Sequence, residues 1–338
     1  MSANQEPLTA RQYADGILAG NRTLLARAIT VIESRNPQHL ALAEEILALI
    51  LPFSGKCIRL GITGVPGVGK STFIETFGCM LCDLGHRVAV LAIDPTSMLT
   101  KGSILGDKTR MENLSNQPNA FIRPSPSKGA LGGVAQKTRE AIFLCEAAGF
   151  DVVIVETIGV GQSETSVRSM VDFFLLLLLA GGGDELQGIK RGVMELADAF
   201  VVTKADGDNQ KRAELTRSDH ANALRYLQPI TPGWTAPAML CSSKEKTGIQ
   251  EIWNTIEKFR HTVEASGFLI KRRQQQLIEW MRFLAEEQLL SDFYSTVKQP
   301  WAELEKNILA GQIPTAAVIR ELLKVYKSSA PLIPLDSR

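Results

Sequence analysis

Hydrophobic and polar positions follow three different rhythms along the chain. Between about Leu8 and Leu51 the apolar residues, Leu24, Leu25, Ala28 and Ile32 among them, recur at helical spacing. Asn21 and Asn36-Pro37 punctuate that stretch, which predicts two or three short helices before Pro52 and Gly55 break the pattern. From Cys57 onward short apolar runs alternate with helical patterns. The runs at 58–63, 88–94, 152–157, 173–180, 199–203 and 238–242 read as strands, with helices beginning near Lys70, Gly133, Asn209 and Gly248. That alternation predicts an α/β domain with a doubly wound, mostly parallel sheet. After about Gly267 only helical periodicity remains, through Leu277, Met281, Leu284, Leu289, Leu290 and Phe293, then Trp301, Leu304 and Ile308, then 316–326. The expected organisation is an N-terminal helical segment (1–54), an α/β domain (55–266) and a C-terminal helical extension (267–338).

Composition narrows the classes. The longest strongly apolar run, 173–180, is far short of the roughly 20 residues that cross a bilayer, and reads as a strand buried on both faces. With 37 basic against 36 acidic residues, no charge excess points to nucleic acid or to a solvating tail. Apolar residues make up 45 % of the chain, enough for a substantial core, so global disorder is excluded. The N-terminal residues lack the charged-then-apolar build of a secretory signal, and the five cysteines form no secreted-domain framework. The expectation is a cytoplasmic protein with reduced thiols and neither a nucleic-acid nor a membrane partner. Cys79 and Cys82 form C-x-x-C inside a predicted helix, where they share a face and pack inward. Lys271-Arg272-Arg273 reads as a solvated helix start.

One segment carries chemistry in a fixed pattern. Gly64-Val65-Pro66-Gly67-Val68-Gly69-Lys70-Ser71 fits G-x-x-x-x-G-K-[ST], with an apolar strand leading in and a helix leading out through Thr72. Glycines let successive N–H groups turn toward one phosphate, and the helix N-terminus adds its dipole. Lys70 is then expected at the β and γ phosphates and Ser71 at Mg²⁺.

Such a loop needs an acid beside the metal at a neighbouring strand end. Glu156 ends the apolar run 152–157, and Gly159 follows where a backbone N–H meets the γ-phosphate. Glu156 would act directly or through a bound water, since many such sites carry the shorter Asp. Asp94, closing the run 88–94, is a second candidate for the metal sphere. The polar loop behind it contains Asp107, a candidate for Mg²⁺ or for the attacking water, and Lys108, which can offset developing charge. For both loop residues a surface charge is the alternative reading. No glutamine sits directly after Gly159, and the role of nearby Gln162 stays open.

The base reader is legible too. The run 199–203 ends in Thr203-Lys204-Ala205-Asp206, or T-K-x-D. Guanine presents N1–H and its 2-amino group side by side, and one carboxylate, Asp206, can accept both. Adenine offers no such pair. The aliphatic stem of Lys204 can cover the base, while Ser242, Ser243 and Lys244 after the next strand would complete the pocket.

Taken together, GVPGVGKST, the Asp94-Pro-Thr-Ser turn, GDKTRM from Gly106, ETIGVGQSE from Glu156, GDELQGIK from Gly183 and TKAD resemble the MeaB/ArgK-type P-loop GTPases. These are accessory proteins of methylmalonyl-CoA mutase, with a human relative in mitochondrial cobalamin metabolism. The resemblance covers about Leu8 to the C-terminal helices. It implies a slow GTPase stimulated by a client, an adenosylcobalamin-dependent mutase that it protects and whose cofactor loading it gates. It also implies a homodimer built partly through the C-terminal extension. The segment 183–191 would be a further switch touching the client, with Asp184, Glu185, Gln187 and Lys190 as the contacting side chains. Two other readings share the core. One is an ATP-dependent kinase of periplasmic amino-acid-binding proteins, which Asp206 speaks against. The other is a metal-delivery GTPase, disfavoured because no Cys- or His-rich tract accompanies the loop.

Overall fold

The computed structural model describes residues 8–34, 36–94, 111–126, 131–157, 163–181, 191–224, 226 and 229–329, leaving aside the side chains of 93–94, 125–126, 131–135, 163 and 191. Three helices open the chain: α1 (Ala10–Leu18), α2 (Arg22–Glu33) and α3 (Pro37–Ile50). Each has a side-chain cap. Thr9 and Gln12 form a reciprocal capping box on α1, Asn21 accepts from two N–H groups of α2, and Asn36 caps α3 with Pro37 in its first turn. The two asparagines that punctuate the pattern are therefore helix starts.

Seven strands then form one sheet: β1 (Ile58–Gly64), β2 (Val88–Asp94), β3 (Ala120–Pro126), β4 (Val152–Glu156), β5 (Phe173–Leu179), β6 (Ala199–Thr203) and β7 (Ala238–Leu240). Their order is β3-β2-β4-β1-β5-β6-β7, and every ladder is parallel. β3 falls outside the six strands that the pattern predicts. It carries Pro124 and Pro126, which cannot donate to a ladder, and it survives at the sheet edge, where one side needs no donor.

Six helices between the strands and one after β7 cover both faces. They are α4 (Lys70–Asp83), α5 (Glu112–Asn116), α6 (Leu131–Ala147), α7 (Ser163–Arg168), α8 (Arg191–Leu196), α9 (Gln210–Leu224) and α10 (Ile249–Ala265). Leu60, Ile62, Leu175, Leu177 and Val201 face a core built with α4 and α10, including Phe73, Phe77, Trp253 and Phe259. The alternate residues Leu176, Leu178, Phe200 and Val202 pack with Ala213 and Leu224 of α9 on the other face. This is the doubly wound layering that the sequence predicts. Among the described residues no helix is long and apolar enough to cross a membrane.

At the amino end of the strands lies a buried ionic lattice. The Arg59 guanidinium makes two hydrogen bonds to Glu146, of 2.8 and 3.0 Å. Asp172 accepts from the Arg59 backbone N–H at 2.9 Å and from Arg273 at 2.8 and 2.6 Å. Asp198 pairs with Arg168 at 2.9 Å and accepts from Thr231 and from the Phe174 N–H. Arg272 donates to the Asp172 carbonyl and to Thr231. The side chains of Arg272 and Arg273 are only 9 % and 17 % exposed, so two of the three charges expected to be solvated at this helix start are instead structural. Their carboxylate partners, Asp198 for Arg272 and Asp172 for Arg273, lie far earlier in the chain, beyond any local pattern.

The chain divides into two compact units between Arg273 and Gln274. The division falls inside α11 (Phe268–Thr296), which α12 (Lys298–Leu309) and α13 (Thr315–Ser329) follow. The second unit has a small core of its own: Val297, Val318 and Leu322, flanked by Phe293, Leu304, Ile308, Val325 and Tyr326.

Candidate nucleotide site

The site forms where β1, β4, β6 and β7 end. β1 delivers the chain to Gly64, where a Cβ would lie 2.6 Å from the Leu177 carbonyl oxygen, so only glycine fits. Gly69, at φ 94°, turns the loop into α4 in the left-handed region. Lys70 is the first residue of α4 and is largely buried. Its ammonium donates to the Gly64 carbonyl at 2.7 Å and to that of Val65 at 3.2 Å, so two of its three donors are assigned among the described residues. Burial makes the ammonium release its proton more readily, against the opposing pull of Glu156 and Glu164.

Ser71 donates its hydroxyl to Glu156 Oε1 at 3.1 Å, so these two candidate metal residues meet. Sheet register explains it, since Ile62 of β1 pairs with Glu156 just before the loop begins. Below them the buried hydroxyls of Thr157 and Thr63 share a 2.6 Å hydrogen bond, which ties β4 to β1. Neither threonine is singled out by its pattern in the sequence.

The candidate base-reading residues lie at and just beyond the carboxyl ends of β6 and β7. The buried Thr203 hydroxyl lies 2.7 Å from the Val68 carbonyl and 3.2 Å from that of Leu178, which joins the phosphate loop to the base end. Lys204 has φ 55°, a conformation rare outside glycine and asparagine. It is held there by Asn209, which donates to the Lys204 carbonyl at 2.8 Å. The Lys204 ammonium reaches back to the Gly67 carbonyl at 2.8 Å, so its stem spans the space between the two loops. The Ser242 hydroxyl donates to Asp206 Oδ2 and accepts from the Glu245 N–H at 3.0 Å. Thr76 of α4 contacts the Ser243 carbonyl at 3.3 Å, while Lys244 is exposed.

The structure therefore brings together Gly64 to Ser71, Glu156, Thr203, Lys204, Asp206, Ser242 and Ser243. Thr72 lies on the exposed side of α4. The Asp94 side chain, together with Asp107, Lys108, Gly159, Gln162, Asp184, Glu185, Gln187 and Lys190, lies outside the described residues. Cys82 is buried and Cys79 half-buried; burial pushes the Cys82 thiol up to about 11, so it stays protonated and unreactive at neutral pH.

A parallel doubly wound sheet with a P-loop at the end of its central strand defines a P-loop nucleotide hydrolase. Comparison with known proteins narrows the class. A family model described as "Methylmalonyl Co-A mutase-associated GTPase MeaB" matches residues 25–298, and the chain belongs to that family. It is 52 % identical over 276 residues to the Escherichia coli GTPase ArgK, covering 82 % of this chain and 83 % of that protein. It is 43 % identical over 340 residues to the mitochondrial methylmalonic aciduria type A homolog of Mus musculus, covering 97 % of this chain and 82 % of that protein. A crystal structure described as a LAO/AO transport system kinase superposes with a TM-score of 0.77 at 39 % identity, covering 96 % of this chain and 100 % of that one.

Proposed function

We propose that this GTPase is the chaperone and gatekeeper of an adenosylcobalamin-dependent methylmalonyl-CoA mutase, protecting the mutase and licensing its cofactor loading through GTP binding and hydrolysis. The observation that carries this reading is the family match over 25–298, whose description names the mutase. The name of the mouse relative supports it.

Within that reading the residues divide the work. The backbone N–H groups from Gly64 to Thr72 cradle the phosphates, and Lys70 turns from its two carbonyl partners toward the β and γ oxygens. Mg²⁺ fits the hard oxygen pair of Ser71 and Glu156, with Asp94 and Asp107 as further candidates, and when bound it offsets charge on the β and γ phosphates. Gly159 donates to the γ-phosphate, and Lys108 offsets developing charge. Asp206, oriented by Ser242, accepts from guanine N1–H and the 2-amino group. Lys204 covers the base, while Thr203, Ser243 and Lys244 shape the pocket. Asp184, Glu185, Gln187 and Lys190 contact the client. The C-terminal extension, 267–338, pairs two copies into a homodimer, and the protein works in the cytoplasm.

The decisive experiment is GTP turnover with and without purified methylmalonyl-CoA mutase. A clear rise on adding mutase supports the client, whereas an unchanged rate over saturating mutase removes it. A second reading, phosphotransfer from ATP, is favoured only by the kinase description of the solved relative. Competition between GDP and ADP separates the two, and a preference for ADP would overturn the guanine assignment.

A further inference from the structure

Glu164 lies in the first turn of α7, eight positions beyond Glu156. It is only 7 % exposed, yet its Oε2 has no hydrogen-bond partner. Among the described residues, Glu164 carries the one buried carboxylate oxygen in that condition. A buried, unmatched carboxylate oxygen is costly and calls for a specific reason.

Its place in the fold supplies one. α7 leaves the carboxyl end of β4 and returns the chain to the start of β5, so it runs from the nucleotide end of the sheet toward the opposite end. Val167 packs where Gly61 of β1 leaves room, since a Cβ there would lie 3.0 Å from Val167. Glu164 is three residues earlier on the same helical face, one turn closer to the P-loop. Glu164 and Glu156 are also the two carboxylates whose charge acts on the Lys70 ammonium. Val160, rather than a glutamine, follows Gly159, so the usual position for a water-orienting side chain is empty of one.

We propose that Glu164 positions the attacking water in GTP hydrolysis, its unmatched carboxylate oxygen accepting a hydrogen bond from that water beside Lys70. This rests on the assignment of Lys70 and Ser71 to the nucleotide phosphates. In the step itself the water oxygen bonds to the γ-phosphorus as the bond to the β–γ bridging oxygen breaks. The electron pair of that bond leaves with GDP, and the water's proton ends on the phosphate product. Glu164 holds the water's orientation and takes up no net proton, so the balance needs no further reagent. A carboxylate suits the task because it offers acceptors only, turning a lone pair of the water toward phosphorus.

The test compares the full-length wild-type chain with Glu164→Gln and Glu164→Asp, by GDP and GTP affinity from displacement of a fluorescent nucleotide and by single-turnover hydrolysis. Thermal melting with and without GDP identifies a variant that fails to fold; Glu164→Asp keeps the charge should Glu164→Gln do so. The expected result is near wild-type affinity for both nucleotides with a hydrolysis rate about 100-fold lower in Glu164→Gln, partly restored in Glu164→Asp. Folded variants that hydrolyse GTP at the wild-type rate overturn the proposal. Tighter GTP binding at an unchanged rate also overturns it, by showing that Glu164 only balances the charge of Lys70. A wild-type chain that binds no GTP sinks the underlying phosphate-site assignment, a failure visible before any Glu164 variant is made.

Discussion

The two ends of the sheet handle buried charge in opposite ways. At the amino end, Arg59, Glu146, Asp172, Arg273, Arg168 and Asp198 are paired, often through two hydrogen bonds, and anchored to backbone groups of β1 and β5. At the carboxyl end the charges have makeshift partners. Lys70 leans on two carbonyls of its own loop, and Glu164 has an oxygen with no hydrogen-bond partner among the described residues. A charge whose partners are complete contributes to the fold, because removing either member leaves the other stranded in low dielectric. A charge with incomplete partners is available to a ligand that brings the missing ones. The same residue types thus separate into structure and function by how fully their neighbours satisfy them.

The largest expected effect comes from breaking the paired end. Arg59→Met strands the Glu146 carboxylate and is expected to destabilise the protein by about 3–5 kcal/mol, measured by urea denaturation, while the folded fraction keeps its GDP affinity. A loss below about 1 kcal/mol would mean that the lattice is ornamental and the contrast fails. The acid side gives a second measure. Burial pushes the Asp172 carboxyl up, but the hydrogen bonds and charge of Arg273, with Arg59, outweigh it and hold the group below its ordinary value of 3.8. A lowered folded value contributes stability that is complete above the unfolded value and lost as pH falls through the folded one. This group should therefore contribute fully above about pH 5 and lose its share below about pH 4. Arg273→Met should flatten that acid loss, because Asp172 then loses what holds it down.

Next in size is the unpaired end. Lys70→Ala is expected to weaken GDP and GTP binding by about 100-fold or more, near 3 kcal/mol. Because burial penalises the Lys70 ammonium, its removal should move unfolding free energy by less than about 1 kcal/mol. A Lys70→Ala protein that hydrolyses GTP at the native rate would show that the loop is misassigned. Asp206→Asn follows. It exchanges a double acceptor for a mixed donor and acceptor, so GDP affinity should fall by about 30-fold, near 2 kcal/mol, with ADP affinity unchanged in the same competition assay. Equal losses for both nucleotides would remove Asp206 as the base reader.

What could be read in the sequence differs between the two ends for a physical reason. The phosphate loop, Glu156 and Thr203-Lys204-Asp206 are legible because backbone geometry imposes local spacing on them: glycines where a Cβ would clash, an acid at a strand end. The lattice is not legible, since Arg273 and Asp172 are joined across 101 positions and nothing near Arg272-Arg273 distinguishes a buried pair from a solvated one. β3 escapes for another reason: Pro124 and Pro126 argue against a strand, and only the sheet order shows that it occupies an edge. Glu164 is visible in the motif after Glu156, but its burial without a partner is a property of packing and has no signature in residue spacing.

The smallest effect belongs to a residue that sits at one end and is built like the other. Thr203 stands in the proposed nucleotide site but is buried, with its hydroxyl between the carbonyls of Val68 and Leu178. Thr203→Val keeps the shape and removes the donor, so each carbonyl loses a contact that its other neighbours only partly replace. The expected cost is about 1 kcal/mol of unfolding free energy, accompanied by a few-fold loss of GDP affinity as the phosphate loop loosens against β6. Denaturation and nucleotide titration on the same preparation read both quantities. If only stability falls, Thr203 behaves as part of the scaffold and the division follows pairing. If only affinity falls, the division follows position in the sheet, and satisfaction of neighbours is the wrong criterion for separating the two ends.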